Sequence, residues 1–384
     1  MYRGSLQRIG LRNGRVCVSA QSRGSFVRSR RVRTLDVAAD FVSRRSGSIH
    51  AEDSTAAIWQ PCAMEHFDGR IAVVTGGGSG MGRELVRQLA ADGCHIATCD
   101  VSAENLAETK ELADENAATG VRVTTFVADV ADESALQVFA AAVAAEHQTD
   151  HINLLFNNAG IGGGGSFLLD ERDDWERTFN ICWGGVYLCT RTFMPLLLAS
   201  TEGHVVNTSS VNGFWASLGL GLPHTAYSAA KFAVKGFTEA LITDFRLNAP
   251  HLRASVVMPG HIGTSIVINS GKVLGREPKE LTAEQIADLR TRLERSGIDV
   301  GGASDEDIRL GMQLRGEMFR DNAPTTAAEA AAVILKGVRA NEWRILVGDD
   351  AFVLDELVRE KPGQAYEESF VDILKARQIF GFGQ

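Results

Sequence analysis

The feature that most restricts the fold is a repeat. From Arg70 onward, short β-branched apolar runs alternate with longer stretches whose apolar residues recur every three or four positions. Short continuous apolar runs suit strands buried on both faces, and the three-to-four spacing suits helices with one buried stripe. The runs Ile71–Thr75, His95–Asp100, Val121–Val127, Ile152–Asn157, His204–Thr208, Ala254–Met258 and Arg344–Val347 therefore predict parallel strands. The stretches Met81–Asp92, Ala103–Ala118, Ser134–His147, Asp173–Ala199, Thr225–Asn248 and Thr326–Ala340 predict the helices between them. Repeated βαβ units close into one layered solution, an α/β domain with a single doubly wound parallel sheet of about seven strands and helices on both faces.

Two stretches fall outside this rhythm. Residues 1–63 carry 11 Arg, no Lys and four acids, a surplus of seven positive charges that leaves −16 for the remainder of a chain of net charge −9. Arg- and Ser-rich, acid-poor N-termini resemble organelle transit peptides, but Gly4, Gly10, Gly14 and Gly24 interrupt any amphipathic helix. Met64 stands directly before the first apolar run, so the favoured expectation is a catalytic domain over 64–384 preceded by a disordered extension ahead of the true start. The expected compartment is then the cytoplasm, or the mitochondrion if the extension is a transit peptide. The second stretch, 265–323, is polar and glycine-interrupted. Within it Thr282 and Gln285 form a capping-box pattern ahead of an Ile286, Leu289, Leu293 stripe, which predicts a helical lid over the substrate.

The first strand runs into a helix through Thr75-Gly76-Gly77-Gly78-Ser79-Gly80-Met81-Gly82. Glycines at such a junction allow a tight turn, bring bare backbone against a pyrophosphate and let helix and strand pack closely, while the helix N-terminus favours the anion. Asp100 closes the second strand, where a carboxylate accepts hydrogen bonds from ribose hydroxyls and repels a 2′-phosphate, so the expected cofactor is NAD rather than NADP. Asp129 and Val130, after the third strand, are placed to meet the adenine.

Tyr227 and Lys231 are four apart near the start of a predicted helix, hence on one face. A free phenol titrates near ~10, and a neighbouring cation lowers that by roughly 1–3 units, which puts proton transfer within reach. Ser209 and Ser210 end the fifth strand, at the edge where ligands bind open α/β sheets. Asn180 sits mid-helix, an unfavourable place for Asn without a specific partner.

Together these residues resemble the short-chain dehydrogenases/reductases of the TGxxxGxG/YxxxK type, over roughly Phe67 to Gly348. The resemblance also takes in Asn157-Asn158-Ala159-Gly160 and Pro259-Gly260 followed by Thr264. It implies a Rossmann fold in which Tyr227 is the general acid/base, Lys231 holds the nicotinamide ribose and lowers the Tyr pKa, Ser210 polarises the carbonyl and Asn180 positions a water. It further implies that Gly76, Gly78, Ser79, Gly80, Met81, Gly82, Asn157, Ala159, Gly160, Pro259, Gly260, Ile262 and Thr264 contact the cofactor. The stretch from Ser210 to Tyr227 is longer than the family commonly shows. Its Asn212, Phe214, Trp215, Leu218, Leu220, Leu222 and His224 are candidates for an apolar substrate pocket, or for a subunit interface, and Gly162–Gly165 for a mobile segment near the nicotinamide.

The expected reaction is hydride transfer between NAD(H) and a secondary alcohol or ketone of apolar character. A 3-oxoacyl-thioester reductase and a non-catalytic nucleotide-sensing scaffold are the alternatives. The acidic domain argues against nucleic acid, no run of about 18 apolar residues predicts a membrane span, and the six cysteines have no spacing for zinc, so no metal is expected. A homodimer or homotetramer is expected by analogy with the family.

Overall fold

The structure is a computed structural model that describes residues 10–12, 15–17, 64–218, 223–295 and 297–377. In the N-terminal unit, Gly10–Arg12 pairs antiparallel with Arg15–Cys17; the disorder expected for the rest of residues 1–63 lies outside the described residues.

The second unit is built on seven strands: β1 (Ile71–Thr75), β2 (His95–Asp100), β3 (Val123–Val127), β4 (Leu154–Asn157), β5 (Gly203–Thr208), β6 (Leu252–Pro259) and β7 (Arg344–Val347). They pair parallel throughout in the order β7-β6-β5-β4-β1-β2-β3. The order reverses between β1 and β4, and a crevice opens beyond the strands' carboxyl ends at such a switch point. Seven strands in one doubly wound sheet are what the repeat predicts. All five residues of β1 are buried, the burial pattern of a central strand covered on both faces.

The helices on one side are α1 (Gly80–Ala91), α2 (Ala103–Asp114) and α10 (Ala327–Arg339), and on the other α3 (Glu133–His147), α4 (Arg172–Phe179), α5 (Gly185–Ala199) and α6 (Thr225–Asn248). Apolar side chains fill each face: Val73, Ala97, Leu155, Phe139 and Phe193 on one, Ala72, Val74, Leu85, Leu89 and Ile334 on the other. Met64 and Phe67 are buried on the second face. The stretch Arg172–Ala199 is long and apolar enough to cross a bilayer, with a mean hydropathy of 1.3 over its best window. Here Val186, Cys189, Phe193 and Leu197 of α5 are buried against the sheet.

Segment 265–323 contains α7 (Ile266–Val273), α8 (Ala283–Arg295) and α9 (Asp305–Asp321). The Thr282–Gln285 capping box forms in both directions, at 2.9 and 3.2 Å, and Leu281, Ile286, Val300 and Ile308 make a small core of their own. Two further helices, α11 (Asp349–Glu360) and α12 (Glu368–Ala376), follow β7 and bury Leu354, Phe370 and Leu374 against Trp215, Val256 and Met258.

Candidate active site

The β1–α1 turn is closed by contacts that leave no room for side chains. Gly76 takes φ +67°, and a Cβ there would stand 2.8 Å from Ala159 Cα. At Gly82 a Cβ would lie 2.0 Å from the Gly76 carbonyl oxygen, so α1 packs on the turn backbone only because that side chain is missing. The Thr75 hydroxyl ties this turn to the next strand end by accepting from the Asn158 and Ala159 amides at 3.0 and 3.1 Å. Asp100 braces the turn from the other side: one carboxylate oxygen accepts from the Gly78 amide at 3.0 Å and the other from Ser102 at 3.0 Å.

These turns border a cleft beyond the ends of β1 to β4. Of the expected cofactor residues it is lined by Gly76, Ser79, Gly80, Met81, Asp100, Asp129, Val130, Ala159, Gly160 and Thr264. Gly78 and Gly82 instead do structural work in the turn, through the Asp100 bond and the helix contact just described.

Several of the expected residues do not line this cleft. Asn157 is buried away from the cleft, where its amide donates to Thr190 and Asn207 and cross-links β4 to α5 and β5; Asn158 is the one that lines the cleft. Pro259 and Gly260 are not among its lining residues, and the Gly260 amide donates to the Val347 carbonyl; the Ile262 side chain is buried. The carboxylate of Asp350, accepting from the His261 amide at 2.6 Å, fixes this turn from the C-terminal side. Sequence reasoning also missed Arg177, which lines the cleft and forms an ion pair with Asp129, and Asn269 of α7, which donates to the Ser79 hydroxyl at 3.1 Å across the mouth. Neither sits in a recognisable motif; only the fold brings them to the turn.

Beside the cleft, Ser210, Tyr227 and Lys231 meet. All three are buried. The Ser209 hydroxyl donates to the Lys231 carbonyl at 2.7 Å, whereas the Ser210 hydroxyl accepts from the Asn212 amide at 3.1 Å and lies close enough to the Tyr227 phenol to pull its pKa down. The choice between the two serines thus follows from which one the helix consumes. Lys231 lies with its Nζ 5.3 Å from the centre of the Tyr227 ring and donates to the Thr208 carbonyl at 2.9 Å.

Burial pushes the Tyr227 phenol up and the nearby Cys182 adds to this, while the neighbouring Ser210 hydroxyl pulls it back. Burial pushes the Lys231 ammonium down. Burial is the dominant influence on this phenol and favours its protonated form, the one that can donate to a carbonyl oxygen.

Asn180 opens a five-residue π-helix, Asn180–Gly184, between α4 and α5. Its side chain is exposed and makes no direct hydrogen bond to the other three. The widened turn is itself a departure of the kind found at functional sites.

The pocket expected around the lengthened loop is also revised. Trp215 is 1% exposed; its indole nitrogen donates to the Ala365 carbonyl at 2.7 Å and its ring packs on Phe370. Phe214 packs in the same cluster under Arg344. The Asn212 amide donates to the Trp215 and Ser217 carbonyls and shapes the loop. These side chains anchor the C-terminal helices rather than line the cleft. Leu220 and Leu222 lie outside the described residues. His224 does lie at the site: its ring stacks on Tyr227 with centroids 4.5 Å apart and planes 3° from parallel. Gly162–Gly165, expected to be mobile, is tied down, with the Gly162 amide on Ser270 at 2.7 Å and the Gly164 and Gly165 carbonyls on the amides of Ala226 and Thr225.

Among the described residues there is no cluster of metal-ligating side chains, and Cys94, Cys99, Cys182 and Cys189 are free buried thiols.

The sheet order and the glycine-lined crevice place the molecule among the doubly wound nucleotide-binding proteins. Residues 70–273 match the family described as short chain dehydrogenase, and the chain belongs to that family. It is 34% identical over 296 residues to the oxidoreductase SadH of Mycobacterium tuberculosis, spanning 77% of this chain and 92% of that protein. Over 223 residues it is 36% identical to levodione reductase of Leifsonia aquatica, spanning 57% of this chain and 79% of that one. Among solved structures, a short chain dehydrogenase/reductase from Burkholderia phymatum in complex with NAD superposes with a TM-score of 0.62 at 26% identity, covering 78% of this chain and 95% of that one.

Proposed function

We propose that this oxidoreductase interconverts a secondary alcohol and a ketone of apolar character, with NAD(H) as cofactor. The observation that carries the reading is the buried cluster of Ser210, Tyr227 and Lys231 beside a cleft built of bare glycine backbone. The residues fit a dinucleotide: Gly76 and Gly80 let backbone approach a pyrophosphate, the N-terminus of α1 faces it, and Asp100 stands where ribose hydroxyls need acceptors. That same carboxylate disfavours a 2′-phosphate, which supports NAD over NADP. Asp129 and Val130 flank the adenine end.

When bound, the dinucleotide supplies the hydride in reduction and accepts it in oxidation. Tyr227 gives its proton to the carbonyl oxygen as that oxygen becomes a hydroxyl, and recovers it in the reverse direction. Ser210 hydrogen-bonds the same oxygen and stabilises the charge that develops on it. Lys231, a buried cation behind the phenol, holds the ribose and stabilises the phenolate left after transfer. Asn269 and Ser270 of α7 close the segment 265–323 over the cleft as a lid. Exposed Tyr187 and Leu198 on α5 and Phe232 on α6 are the faces through which a homodimer or homotetramer would form.

The test is a panel of apolar ketones assayed with NADH and NADPH at the nicotinamide absorbance. Turnover with NADH on at least one ketone is expected; binding of NADH without turnover of any ketone or alcohol overturns the reading.

A further inference from the structure

Asn269 sits in the middle of α7, and its side-chain amide donates to the Ser79 hydroxyl at 3.1 Å. Both residues line the cleft. Ser79 opens α1, yet its hydroxyl does not cap the helix, and the first turn carries no carboxylate. The hydroxyl is held by Asn269 instead, which leaves the first-turn amides uncapped where a helix N-terminus receives an anion. Segment 265–323 is fitted closely to this turn, since a Cβ at Gly80 would meet the neighbouring Thr264 Cγ2 at 3.0 Å. The next residue of α7, Ser270, accepts from the Gly162 amide at 2.7 Å and fixes the helix over the cleft.

A dinucleotide brings a phosphate pair to this turn, each phosphate with a full negative charge. Among the described residues that line the cleft Arg177 is the one cation, and Asp129 engages it. The Asn158 amide is taken by the Thr75 and Gly76 carbonyls. We propose that Asn269 is a cofactor ligand whose side-chain amide donates to a pyrophosphate oxygen, fastening segment 265–323 to the bound dinucleotide. This rests on the dinucleotide reading above and extends it to a residue of the lid. A side-chain amide has two N–H groups, so Asn269 can keep Ser79 and hold a phosphate oxygen as well. Hydrogen bonds to an ionised acceptor are roughly twice as strong as those between neutral groups, so an occupied cleft holds the lid more firmly than Ser79 alone.

The experiment reads binding rather than turnover, on the full-length protein: NADH by its fluorescence, and ADP-ribose, which has both phosphates and no nicotinamide, by calorimetry. Asn269→Ala should raise the Kd of both by about 10-fold, the loss of one hydrogen bond to a charged group. Asn269→Asp should weaken both at least as much, because its carboxylate repels the phosphates although it still accepts from the Ser79 hydroxyl. The position is half-buried, and thermal unfolding verifies that each variant is folded. An Asp variant that binds like wild type would make Asn269 only a latch on Ser79 and overturn the inference. So would an Ala variant with both affinities within about twofold of wild type, or one weakened for NADH alone, which puts Asn269 over the nicotinamide. These outcomes leave the dinucleotide reading standing; wild type that binds neither NADH nor ADP-ribose overturns both.

Discussion

Replacing Trp215 by Phe separates two roles that this residue could have, substrate wall or structural anchor. The indole nitrogen donates to the Ala365 carbonyl at 2.7 Å in a site 1% exposed. Phe cannot donate, so a buried carbonyl is orphaned, at about 1–3 kcal/mol. The lost second ring leaves a gap against Phe370, and a small unfilled volume in a packed core adds about 1 kcal/mol. The sum, about 2–4 kcal/mol, corresponds to a fall in Tm of roughly 4–8 °C for a domain of this size. Thermal unfolding followed by circular dichroism reads the first number, and steady-state kinetics with a ketone reads the second. Because the side chain is committed to the C-terminal helices, KM should stay within about twofold of wild type. An unchanged Tm with a KM raised about tenfold or more would put Trp215 in the substrate pocket and refute the anchoring argument.

If Asp100 sets cofactor choice as proposed, a carboxylate facing a phosphate about 5 Å away in a half-solvated cleft repels it by roughly 1–3 kcal/mol, so Asp100→Ala should raise the NADP-to-NAD ratio of kcat/KM about 10- to 100-fold. Titrations of both cofactors against both proteins check this. The sign of the Tyr227 shift fixes the pH dependence. A phenol pushed up by burial remains protonated through neutrality, so kcat/KM for ketone reduction should be flat from about pH 6 to 9, whereas alcohol oxidation, which needs the phenolate, should rise with pH across that range. A reduction rate that falls with a midpoint near neutral pH would mean the phenol is depressed instead.

Most of the sheet was legible because a buried parallel strand leaves a local trace: β1, β2 and β7 fall on the predicted residues, and β3 and β4 begin two residues late. The turn from Thr75 to Gly82 and the Tyr227–Lys231 pair were legible for the same reason, since each packs its constraint into a few consecutive positions. What the sequence hid depends on distant partners. Trp215 reads as a pocket wall until Ala365 and Phe370, far along the chain, are seen to claim it. Asn157 and Asn158 are indistinguishable in sequence, and strand alternation sends one into the core network and the other into the cleft. The α11–α12 pair follows the last predicted strand, and its role appears only in its contacts with the loop after β5.

The central claim is that Tyr227 transfers the proton, and the direct measurement is Tyr227→Phe assayed for ketone reduction together with NADH binding by fluorescence. Losing only the phenol oxygen should lower kcat by about 10²–10⁴-fold, the range for a positioned acid/base group, with NADH affinity within about threefold of wild type. Turnover within tenfold of wild type, with the fold intact, would contradict the account.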